Sequence, residues 1–126
     1  SAMIAYCFAE KKGFSKFGSY TGNGNADGAF IYTGFKPAFV MVKRTDSTSN
    51  WGMYDSGRDV DNVVTYGINA NTTAADDTSD FMDFLSNGFK HRSTSVNRNG
   101  SGATYIFMAF AESPIVSSNG VPAVAR

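Results

Sequence analysis

The side chains able to do chemistry in this chain are few. There is one histidine, His91, one cysteine, Cys7, and one tryptophan, Trp51, alongside eleven acidic residues. A histidine-assisted serine or cysteine nucleophile needs the imidazole within hydrogen-bond reach. His91 stands between Lys90 and Arg92 just after an Asn-Gly pair, where it reads as an ordinary strand residue, solvent-side or half-buried. Zinc asks for several Cys or His at tight spacing, and one of each makes no site. Cys7 lies inside the apolar run "IAYCFA", which reads as a small buried hydrophobe and, being single, excludes an intrachain disulfide.

Carboxylates form two groups, Asp55, Asp59 and Asp61 after "WGMY", and Asp76, Asp77, Asp80 and Asp83 further on. Two of them flanking a glycosidic bond would hydrolyse it, but Asp is also the ordinary residue of turns and caps. A polysaccharide-degrading enzyme therefore ranks third among the readings, and no catalytic residue is assigned. "NGNADG" sets Asn23, Asn25 and Asp27 at alternate positions, like the front half of a calcium loop. The twelfth position is Gly34 where a bidentate Glu belongs, so the expectation is a Gly/Asn turn with no metal and no cofactor. "NWGMYDSGRD" collects Trp51, Tyr54, Asp55, Arg58 and Asp59. An aromatic face stacks on the C–H side of a pyranose while Asp, Asn or Arg bond its hydroxyls, so these five are the candidate ligand-binding residues. The alternative is a tryptophan that plugs a core beside a self-bonded loop.

The elements that must position these residues are strands. Eleven Phe, six Tyr and thirteen Gly favour pleated surfaces joined by tight turns over helices. Nine short runs recur at roughly ten-residue spacing, "IAYCFA", "FSKFGSYT", "AFIYTGF", "AFVMVKR", "NWGMYD", "NVVTYGI", "DFMDFLS", "FKHRSTS" and "TYIFMAFA", the rhythm of a sandwich or barrel. Asn87-Gly88 predicts a type I′ hairpin turn. Residues 45–50 predict a second hairpin, with Pro37 just ahead of its first strand. "NTTAADDTSDFMDF" has room for one helical turn at most.

With 126 residues the chain holds one domain. Net charge is zero and the basic residues are scattered, which leaves no footprint for nucleic acid. No apolar run nears the length of a membrane helix, so membrane insertion is not expected. Residues 1–3 read as an expression scar, without the pattern of a signal peptide. Residues 4–112 form the domain and 113–126 an extended segment, packed on the sheet or leading to a neighbour. One oddity stands out: "IAYCFAE" (4–10) and "IFMAFAE" (106–112) agree at four of seven positions in register.

Read together, "GSYTGNGNADG", "GFKPAFVMVKR", "SNGFK" and "YIFMAFAE" resemble a β-rich domain of bacteriophage tail-fibre and other virion proteins, many of them marine. The resemblance covers residue 4 to the end. It implies a non-enzymatic virion part, a single jelly-roll-like or concanavalin-like β-sandwich of about nine short antiparallel strands. Expected partners are a host-surface glycan or receptor, sibling virion subunits or tandem units, and two further copies in a homotrimer. The expected location is the tail fibre or capsid surface, after synthesis in the host cytoplasm. A purely structural assembly or decoration module is the alternative. The resemblance also implies that residues 4–10 close a preceding unit, pairing here as an edge strand or standing unpaired.

Overall fold

Alternation along the strands decides what is buried. In "TYIFMAFA" the side chains of Tyr105, Phe107 and Ala109 are buried, while Thr104, Ile106, Met108 and Phe110 lie on the other face, the period of two that a pleated strand imposes. The computed structural model describes residues 1–113. It contains eight strands: β1 (Ser15–Thr21), β2 (Phe30–Tyr32), β3 (Pro37–Arg44), β4 (Gly52–Asp55), β5 (Gly67–Asn69), β6 (Met82–Leu85), β7 (Gly88–His91) and β8 (Thr104–Ala111). All strand pairs are antiparallel, in a five-stranded sheet ordered β1-β8-β3-β4-β5 and a three-stranded sheet ordered β2-β7-β6. The fold is all-β, with no helix among the described residues.

One core lies between the sheets. Val40, Val42, Tyr54, Tyr105, Phe107 and Ala109 from the larger sheet meet Ile31, Met82, Phe84 and Phe89 from the smaller. Phe89 stands edge-on to Phe107 and Tyr20 at centroid separations of 5.3 and 6.4 Å. Each fully buried aliphatic or aromatic side chain here contributes about 1.5–3 kcal/mol relative to exposure.

Both expected hairpins form. β3 pairs with β4 across the polar loop, and Pro37 opens β3 beside a register shift. In the β6–β7 hairpin the turn is displaced by one residue. Leu85 pairs with Gly88, so Ser86 and Asn87 make the loop and Gly88 begins the strand. Gly88 is required for another reason: a Cβ there would run into the backbone oxygen of Ile31 on β2.

Three expectations are corrected. Eight of the nine runs contain a strand, and the first does not. β8 already fills the place between β1 and β3 that the sequence of residues 4–10 imitates. Residues 4–10 are exposed, and Cys7 with them, so it is no buried hydrophobe. The end of this segment is nonetheless tied down. The Ser15 hydroxyl donates to the Ala9 carbonyl at 3.1 Å, Glu10 accepts the Phe17 N–H at 3.2 Å, and Phe8 packs on Phe17 and Phe110. His91 is the third correction. It is buried in the core, because Lys90 and Arg92 take the outward positions on either side.

Candidate functional site

The loop between β7 and β8 sends two polar side chains inward, and both act as clamps. Asn99 is fully buried. Its amide donates to the Asn23 side chain (2.9 Å), the Asn25 carbonyl (2.8 Å) and the Ser93 carbonyl (2.9 Å), and its oxygen accepts the Asn23 N–H at 3.1 Å. Arg98 is 3% exposed and reaches under the start of β4. It donates to the Tyr54 hydroxyl (3.1 Å), the Asn50 carbonyl (3.3 Å) and the Asn69 side chain (3.2 Å), with the buried Asp80 carboxylate 3.9 Å away. Gly52 lets the guanidinium pass, since a Cβ there would overlap it. Burial pushes the Tyr54 hydroxyl up to about 12, against the pull of Arg98. His91 lies nearby with its Nε2 unpartnered. Burial first, then Arg98, drives its pKa down to about 3, which keeps the imidazole neutral.

What this buried scaffold holds in place is Trp51. Its backbone N–H donates to the Asn71 side chain at 3.0 Å, its backbone carbonyl accepts from the Ala70 N–H at 2.8 Å, and the preceding carbonyl, of Asn50, is the one held by Arg98. The indole is 39% exposed. On one side it forms the wall of a groove of about 330 Å3 on the outer face of the larger sheet, with Phe17, Met41, Ile106 and Met108. Gly18 and Phe107 complete its lining. Next to it in the chain and at the backbone bond just described, Asn50 and Asn71 are exposed and their amides are bonded to each other at 3.1 Å. A half-exposed indole on a pinned backbone, lining an apolar groove close to a pair of amides, can hold a ligand with one apolar and one hydroxylated side, and the pinned backbone limits the ordering cost on binding.

The other sequence-derived candidates do not join it. Tyr54 is buried at 1% exposure and belongs to the core. Asp55 lies four residues along β4, roughly 13 Å away at strand rise. Asp55 accepts the N–H groups of Gly57 and Arg58 and pairs with the Arg58 guanidinium at 2.7 Å, which also reaches Asp76 at 3.2 Å. The two acidic groups thus meet through one arginine in a clasp that closes the loop after β4. Asp59 folds onto its own loop, accepting from the Thr65 and Tyr66 N–H groups at 2.6 and 2.8 Å. Burial would raise its pKa, and these N–H groups outweigh that and hold it below the usual carboxylate range. In the Asn23–Asn25–Asp27 loop, Asn23 and Asn25 oxygens accept the N–H groups two residues on, and Asp27 pairs with Lys90. Lys90 lowers the Asp27 pKa by that hydrogen bond. The Asn23 and Asn25 side-chain oxygens and one Asp27 oxygen are engaged by the protein itself, and no cluster of metal-ligating side chains occurs among the described residues.

Sequence reasoning missed Asn71 and Arg98, and left Asn50, the first residue of "NWGMYDSGRD", out of the named five. Asn71 adjoins a tight turn and carries no motif. Arg98, in "VNRNG", looks like any loop cation. The comparisons with known proteins give one match: a family model described as Domain of unknown function (DUF7483) covers residues 1–114. No curated protein and no solved structure matches the chain.

Proposed function

The chain belongs to the DUF7483 family, and we propose that it is a non-enzymatic domain of a bacteriophage tail-fibre-like virion protein that binds host-surface carbohydrate at Trp51. The observation that carries this is the half-exposed Trp51, its backbone pinned by Asn71 and Ala70 next to the Arg98-held Asn50 carbonyl, lining an apolar groove close to the paired Asn50 and Asn71 amides. The ring of a sugar would lie on the indole, with its hydroxyls toward the amides. The resemblance of "GSYTGNGNADG" and "YIFMAFAE" to virion domains supports the context. A glycan array tests the reading: the wild type binds at least one glycan, and a folded Trp51→Ala variant loses it. No hit, or an unchanged hit after Trp51→Ala, defeats it.

A second reading, a packing module without a ligand, is favoured by one feature. The outer face of the larger sheet is apolar across all five strands, with Phe17, Met108, Met41, Met53 and Ile68 in one row.

A further inference from the structure

The groove beside Trp51 has the wrong chemistry for a bare sugar. Apart from the indole N–H, the side chains that line it, Phe17, Met41, Trp51, Ile106, Phe107 and Met108, offer no hydrogen-bonding group stronger than a thioether. The backbone offers none in their place. The lining crosses β1, β8 and β3 at the paired residues Phe17, Met108 and Met41, and β8 lies between two neighbours, so its N–H and C=O groups are spent on the two ladders. A pyranose hydroxyl pushed into this groove would leave water for no partner, which weakens binding on the order of ten- to a hundredfold for each such group.

A hydrocarbon suits the same space. At about 30 Å3 for a water-sized group such as a methylene, a groove of about 330 Å3 takes a chain of roughly ten carbons, and the flexible Met41 and Met108 side chains adapt to its shape. Trp51 joins the two chemistries. It lines the groove and directly follows Asn50, whose amide is bonded to that of Asn71, so hydroxyls find partners at that end.

We propose that the ligand at Trp51 is an amphiphilic saccharide, a sugar bearing an alkyl or acyl chain. The sugar ring meets the indole with its hydroxyls at Asn50 and Asn71, and the chain lies in the groove over Met41 and Met108. This rests on the carbohydrate reading and names the class of sugar that the site takes.

An alkyl series tests it in the full chain. Methyl, butyl, hexyl and octyl β-D-glucoside, each below its micelle concentration, are titrated and followed by calorimetry and by Trp51 emission. Affinity should rise about two- to fourfold for each added methylene, the upper figure being that for complete burial. Octyl glucoside should bind at least about fivefold more tightly than 1-octanol, which lacks the sugar's hydrogen-bonding hydroxyls. Met108→Gln, which sets an amide in the groove, should flatten the dependence on chain length, whereas Asn71→Ala should weaken every member alike. Capture by phosphatidylcholine vesicles carrying a glucosyl diacylglycerol would assign the chain to a membrane glycolipid, and binding of the soluble glucosides alone would assign it to a soluble acylated glycan; either result keeps the ligand class. No binding of octyl glucoside, or an affinity independent of chain length, overturns the proposal, and the carbohydrate reading then stands or falls by the glycan array and Trp51→Ala. Octanol binding as tightly as octyl glucoside overturns it as well, since the groove would then hold the chain without the sugar.

Discussion

Replacing His91 by Phe should remove most of the acid sensitivity of this fold between pH 6.5 and 4.5. The imidazole is 1% exposed, 5.0 Å from the Tyr20 ring and 5.8 Å from Phe89, with Nε2 unpartnered. Its folded pKa is about 3 against 6.5 for the free group. A base whose pKa is depressed by folding contributes its full stability above pH 6.5. That contribution is lost as pH falls, because the unfolded chain takes up a proton that the folded one refuses. At about 1.4 kcal/mol per pH unit per proton, the loss from pH 6.5 to 4.5 comes to about 2 kcal/mol. The carboxylates held below their usual range by partners, Asp59 and Asp77 among them, act in the same direction at lower pH, near and below their unfolded values. Urea unfolding followed by tryptophan emission at pH 7.5, 6.5, 5.5 and 4.5 measures this directly. The wild type should weaken by about 2 kcal/mol while His91→Phe, which puts a similar ring among aromatic neighbours, stays nearly flat. Parallel pH curves for the two proteins would refute the assignment of that window to His91.

Arg98→Met leaves Asp80 buried beside an apolar chain and frees the Asn50 carbonyl and Asn69, so it should cost about 3–5 kcal/mol in urea unfolding. Arg98→Met combined with Asp80→Leu should recover part of that loss, measured in the same titration. Gly28→Ala drives a Cβ against the backbone oxygen of His91 and should cost about 1–3 kcal/mol. Gly102→Ala meets no atom within 4 Å but carries a φ of +73°, so its cost should stay near 1 kcal/mol, as thermal melts of both variants would show.

The strands were legible because their alternation is strong and their turns are rich in Gly, Asn, Asp and Ser. "TYIFMAFA" and "AFVMVKR" announce a buried face directly. What alternation cannot carry is pairing between distant segments. That β8 sits between β1 and β3 follows from the closed core, and no local signal in residues 104–111 states it. The same blindness made residues 4–10 look like a strand, since they share the pattern of β8 but have no open place in the sheet. His91 was within reach of sequence reasoning: outward Lys90 and Arg92 already assign the residue between them to the core. The displaced hairpin turn was not, since the demand on Gly88 comes from Ile31 on another strand.

Of the candidate site, the composition of "NWGMYDSGRD" pointed to Trp51 and misjudged its company. Strand period put Tyr54 inside, and the short loop after β4 bound Asp55, Arg58 and Asp59 to one another or to nearby backbone. The groups that pin the backbone at Trp51 come from twenty residues further on, Asn71, and from the buried Arg98 through the Asn50 carbonyl. Linear distance hides both.

The emission of the single tryptophan tests the central claim most directly. A glycan that binds at Trp51 should produce a saturable shift or quench of that emission, with the same midpoint as binding followed by an independent method, and Asn71→Ala should weaken both together. A glycan that binds with full affinity while the emission of Trp51 stays unchanged would contradict the account.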